Sequence, residues 1–91
     1  MRFMVSYSLP METIEERSSR FLETGGAPPA GVTMEGRWHS VSGALGWVMA
    51  NSDDAQALYK WTSEWSDVIE FQIDPVIGDQ EAAEVLQQKM G

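Results

Sequence analysis

Residues 32–50, VTMEGRWHSVSGALGWVMA, set the topology of this chain. Two runs of strand-like composition stand here with only a short polar break between them, so they form a hairpin with no helix in between. The first strand is read as Val32 to His39 and the second as about Ser42 to Ala50, with Ser40-Val41 at the tip. Pairing His39 with Ser42, or Trp38 with Gly43, gives the same facing sets, because side chains alternate with a period of two. Val32, Met34, Trp38, Leu45, Trp47 and Met49 then share the face expected beneath the helices. Glu35, Arg37, His39, Ala44, Gly46 and Val48 share the other.

On the N-terminal side, Arg2 to Ser8 alternates Phe3, Val5 and Tyr7 against Arg2, Ser6 and Ser8, the pattern of a half-buried strand. Pro10 suits the opening turn of a helix that carries Met11, Ile14, Phe21 and Leu22 on one side. That helix ends at Thr24, where Gly25-Gly26 supplies left-handed backbone, and Gly25 to Gly31 leads into the hairpin. On the C-terminal side, Asn51-Ser52-Asp53-Asp54 combines a capping side chain with two carboxylates and starts a second helix near Asp53. Ala55, Leu58, Tyr59, Thr62 and Trp65 recur there at helical spacing, with Trp61 flanking the stripe, until Ser66-Asp67. Val68 to Pro75 alternates Ile69, Phe71 and Ile73 against Glu70, Gln72 and Asp74 as a fourth strand. A last helix, about Asp79 to Lys89 with Val85, Leu86 and Met90 as its apolar side, is placed to cap this subunit or a neighbour. Strand, helix, strand, strand, helix, strand is the split βαβ order. It predicts an α+β, ferredoxin-like antiparallel sheet with two helices on one face, and a single domain over residues 1–91.

With 91 residues and 43% hydrophobic content, the chain suffices for one core. The absence of cysteine excludes disulfides, thiolate nucleophiles and thiolate metal sites. A net charge of −8, with six scattered Lys and Arg, repels a phosphate backbone, so neither nucleic acid nor an anionic membrane is an expected partner. No apolar run approaches the roughly 20 residues that span a bilayer, and the first ten residues read as a strand and not as a signal peptide, which points to a cytoplasmic protein.

Chemistry gathers at Glu35-Gly36-Arg37-Trp38-His39. The planar fork of Arg37 suits an anion, or an ion pair with Glu35 or Glu70. His39, the only imidazole, is the candidate general base, although a lone histidine at a strand end also serves structure alone. Ser6, Glu70 and Gln72 are expected to join that face from the flanking strands. Gly36, Gly43 and Gly46 mark bulges or close approach by another group. Tyr7, Trp38, Trp47, Trp61 and Trp65 are available to line a pocket for a planar molecule, or to fill the core. The acids Glu12, Glu15, Glu16, Asp53 and Asp54 lack the spacing of a metal site. No nucleophile elbow, phosphate loop or dinucleotide fingerprint occurs, and no cofactor is expected.

Several segments resemble a small family of bacterial proteins, DUF3303, assigned to the dimeric α/β-barrel superfamily. They are Met4-Val5 with Pro10, Gly31-Val32, Gly36-Arg37-Trp38-His39, Ser52-Asp53-Asp54, and Glu64-Trp65-Ser66-Asp67 running into Glu70-Phe71. The resemblance implies two subunits whose sheets close into one barrel with helices outside, and implies no established reaction. Two expectations follow. In the first, a homodimer binds a small anionic or planar molecule near Arg37, Trp38 and His39, with Glu35, Tyr7, Ser6 and Glu70 as further contacts. In the second, the same homodimer is a non-catalytic interaction or regulatory module without a ligand.

Overall fold

The computed structural model describes all 91 residues. Four strands, β1 (Arg2–Ser8), β2 (Thr33–His39), β3 (Leu45–Asn51) and β4 (Glu70–Val76), form one antiparallel sheet in the order β2-β3-β1-β4. Helix α1 (Ile14–Thr24) follows a 3-10 turn at Met11–Thr13 and joins β1 to β2, α2 (Ala55–Ser63) joins β3 to β4, and α3 (Asp79–Met90) ends the chain. This is the element order and antiparallel sheet of a ferredoxin-like α+β fold. No helix is long and apolar enough to cross a membrane.

The β2–β3 hairpin has a wider loop than the spacing predicts. His39 pairs with Gly46, not with Ser42, because Ser40–Ala44 forms a closed turn of its own. The Ser40 N–H donates to Leu45 O at 2.9 Å and the Gly43 N–H to Ser40 O at 2.9 Å. Gly43 sits there at φ +77°, a conformation that a Cβ disfavours.

Two expectations about the sheet faces are corrected. First, the register slips between Met34 and Gly36, leaving Glu35 in a bulge. Side chains before and after a bulge exchange faces, so Val32 and Met34 join Arg37, not Trp38, and Glu35 separates from Arg37. Second, Val32 and Met34 lie beneath the helices as predicted, but along β3 and the end of β2 the helices cover the opposite face. Val5, Val48 and Ala50 are buried beneath them, whereas Leu45 and Trp47 are exposed at 45% and 37%. The physical reason is volume: Leu58 and Trp61 of α2 bring the bulk, both buried, and the strand beneath them answers with Gly46, Val48 and Ala50.

Local hydrogen bonds hold the helices at fixed positions over this face. Asp54 caps α2, its Oδ1 accepting from the N–H groups of Gln56 and Ala57 at 3.0 and 3.3 Å. Buried Ser52 ties that cap to the connector by donating to Gly31 O at 2.7 Å. Thr13 donates to Val68 O at 2.7 Å, linking the start of α1 to the approach to β4, and buried Arg17 donates to Thr13 Oγ1 at 3.0 Å and to Pro10 O. Arg20 spans α1 and the segment after α2. Its two terminal nitrogens each meet one oxygen of Asp67 at 2.9 Å, and its guanidinium lies 5.4 Å from the Trp65 ring centre.

Hydrogen bonding from Arg20 holds the Asp67 carboxyl below its ordinary value. A group depressed in the folded state contributes stability above its unfolded value and loses it as pH falls through the folded one. Asp67→Asn is therefore expected to lower the urea midpoint at neutral pH. The gap from wild type should shrink as pH falls from the ordinary aspartate range toward the lowered folded value, because wild-type Asp67 is protonated first in the unfolded chain and then in the folded one.

Candidate ligand-binding site

Tyr7 lies on the covered face, toward one end of the sheet, because β1 places every odd residue there. Its partner in β3 is Gly46, and a Cβ at Gly46 would overlap the Tyr7 ring. The glycine thus lets the phenol lie flat across the sheet. On the other flank Tyr7 meets Phe71, with ring centres 6.2 Å apart and planes at 57°. Above these rings the helices leave a cavity of about 60 Å³. Its walls are almost wholly apolar: Val5 and Val48 from the sheet, Phe21 from α1, Trp61 from α2, and Trp65 beyond α2. The polar groups on it are Tyr7, Arg37 and Thr62, of which Thr62 donates its hydroxyl to Tyr59 O at 3.1 Å. The Tyr7 hydroxyl makes no hydrogen bond to the protein. Burial pushes it up from its ordinary pKa, and the charge of Arg37 opposes that shift.

Arg37 is committed to backbone. One terminal nitrogen donates to Gly25 O at 2.9 Å and the other to Gly26 O at 2.5 Å, while the guanidinium lies 5.3 Å from the Phe21 ring centre. Helix α1 ends on Gly25 at φ +73°, with its N–H bonded to Phe21 O, and Gly26 follows at φ +58°. The two carbonyls released by that turn are the acceptors the fork meets. A Cβ on Gly26 would stand 3.2 Å from the guanidinium. His39 is exposed on the same side, edge-on to Phe21 with ring centres 5.7 Å apart, and lies outside the cavity wall.

The other predicted residues stand on the opposite face. Glu35 accepts from Arg2 Nε at 3.1 Å. Trp38 lies against Gly36, where a Cβ would overlap its ring. Ser6 and Glu70 line a shallow groove of about 310 Å³ with Ser8, Gln72, Leu45 and Trp47, and Ser8 donates to Glu70 Oε2 at 3.3 Å. The residues read as one site therefore form two groups with the sheet between them: Tyr7, Arg37 and His39 on the helix side, and Glu35, Trp38, Ser6 and Glu70 on the open side. Phe21, Val48, Thr62 and Phe71 of the cavity are not singled out for binding by the sequence. The available signal is Gly46, a glycine near the start of β3, beside a tyrosine-bearing strand. No group of three or more histidine or acidic side chains is placed to hold a metal.

Gly46→Ala is expected to push the Tyr7 ring out of its place and into the cavity. Overpacking of this kind costs about 1–3 kcal/mol. A shift of the Tyr7 ring resonances together with a lower urea midpoint checks it.

A ferredoxin-like sheet whose helices leave a small, aromatic-walled pocket open on one side places this chain among small α+β proteins with a pocket between their layers. Residues 1–90 match DUF3303, a domain of unknown function, and the chain belongs to that family. No curated protein matches it.

Proposed function

We propose that this protein is a homodimer that binds a small planar, largely apolar molecule in the Tyr7 cavity. The observation that carries the ligand reading is the Tyr7 hydroxyl, reachable by solvent and without a protein partner, beside an otherwise apolar wall of aromatic rings. Binding cavities combine apolar walls with a few polar groups that fix orientation, and a ligand oxygen or nitrogen would take the place of water on the phenol. Arg37 faces the same space, but its fork already serves two carbonyls, so the ligand needs a polar edge and no full negative charge. His39 lies off the cavity wall, and no proton transfer is assigned to it.

The homodimer half rests on unburied apolar surface. Only 14 of 91 residues are buried, while Trp38 on the open face is 57% exposed. Large exposed apolar patches mark interaction surfaces. The second reading, a ligand-free interaction or regulatory module, is favoured by the intrachain partners of Arg37 and Glu35.

Phenol is a suitable probe: its ring needs more than the 60 Å³ of the cavity, so it binds only by using the cavity's open side as well. Titrated into the full chain, it is expected to shift the Tyr7 and Trp61 side-chain resonances saturably, and Val48→Phe, which fills the cavity, is expected to abolish the shifts. Trp38→Ala, on the open face, should leave them unchanged. No saturable shift at millimolar phenol, or shifts that persist in Val48→Phe, would overturn the ligand reading in favour of the interaction module.

A further inference from the structure

Helix α3 has no buried residue. Val85, Leu86 and Met90 are exposed at 57%, 56% and 86%, although with Ala82 they fall on one stripe at spacings of three and four. The chain is correspondingly elongated. It extends 54 Å along its longest axis, and its radius of gyration of 15.5 Å exceeds the roughly 12 Å of a compact chain of this length. A 12-residue helix is marginal in water without packing, so the stripe needs a cover that its own chain does not provide.

The open face of the sheet carries a matching vacancy. Its β2–β3 half presents Trp38, Leu45 and Trp47, whereas its β1–β4 half is mostly polar, with Ser6, Ser8, Glu70 and Gln72 beside Met4 and Val76. A 12-residue helix is about 18 Å long and about 10 Å wide, and two adjacent seven-residue strands offer a strip of about 24 Å by 10 Å. In its own chain α3 departs from β4, at the sheet edge farthest from β2. The link is Ile77-Gly78, which spans at most about 7 Å, so the polar half lies between the helix start and the apolar strip. The Gly78 N–H donates to Glu81 Oε1 at 3.2 Å and holds that start in place.

We propose that α3 of one copy seats its Val85, Leu86 and Met90 stripe on the β2–β3 strip of a second copy, and the reverse. The proposal rests on the homodimer reading above and names the contact that makes it. The stripe and the three sheet side chains together expose at most roughly 700 Å² per chain, close to what a standard interface takes from each partner. A twofold dimer covers both surfaces at once, since each copy supplies one stripe and one strip.

The chain has no cysteine, so a single introduced thiol can be labelled without ambiguity. Unlabelled Glu84→Cys chain carrying a nitroxide, mixed with ¹⁵N wild-type chain, is expected to broaden the Trp38 and Trp47 indole N–H signals several-fold between copies. The same nitroxide chain bearing Val85→Glu and Leu86→Glu should lose that broadening, and sedimentation should show dimerisation weakened about tenfold or more. Both substitutions lie outside the core of the sheet, so the body of the fold is expected to survive them. A dimer that shows no intermolecular broadening at Trp38 and Trp47 would overturn the seating of α3 while leaving the homodimer. A chain that sediments as a monomer at every concentration would overturn both.

Discussion

Trp61→Ala is expected to destabilise the chain by about 3–5 kcal/mol, the range for deleting a buried indole. Trp61 is 7% exposed and belongs to the same core cluster as Val5, Val48, Ala50 and Leu58. Helix α2 has nine residues and cannot hold its shape alone, so its packing is what keeps it formed. Domains of this size have about 5–15 kcal/mol in total, and the variant should therefore sit close to its unfolding transition at ambient temperature. Urea titration followed by far-ultraviolet circular dichroism checks this through the midpoint, and Trp61→Phe should recover much of the loss. A change below about 1 kcal/mol would mean that α2 is anchored elsewhere.

Arg37→Ala should cost about 2–3 kcal/mol, because two hydrogen bonds from a charged donor are lost and the Gly25 and Gly26 carbonyls are left without it. Arg37→Lys should recover little, since one ammonium cannot reproduce a planar fork that reaches both carbonyls. Amide hydrogen exchange at Gly25–Ala27 should accelerate in both variants, as the turn that ends α1 loosens. Unchanged stability in Arg37→Ala would instead mean that the wild-type guanidinium does not hold the turn, and would restore its role as an anion anchor.

The hairpin and the alternation in β1 and β4 make the architecture legible in the amino-acid sequence. Two strands joined by a few polar residues leave little freedom in how the helices can be distributed around them. The bulge at Glu35 is not legible there, because a carboxylate followed by glycine does not say which of the two leaves the ladder. That one residue carries Glu35 away from Arg37 and Trp38 away from Met34, and divides the predicted site. The face beneath the helices is misleading for a related reason. Leu45, Trp47 and Met49 look like core residues, but a sheet under Trp61 and a flat Tyr7 has room only for Gly46, Val48 and Ala50. The role of Arg37 is hidden because its acceptors are backbone carbonyls, which leave no trace in side-chain patterning. Tyr7 is legible as an aromatic residue for a planar ligand, while its unpartnered hydroxyl becomes visible only in the fold.

Native mass spectrometry of the freshly purified 91-residue chain tests the homodimer and its occupied cavity together. The predicted result is a species of twice the 10.1 kDa chain mass that carries a small molecule, with the added mass absent from Val48→Phe. A single chain of 10.1 kDa with nothing bound would contradict both.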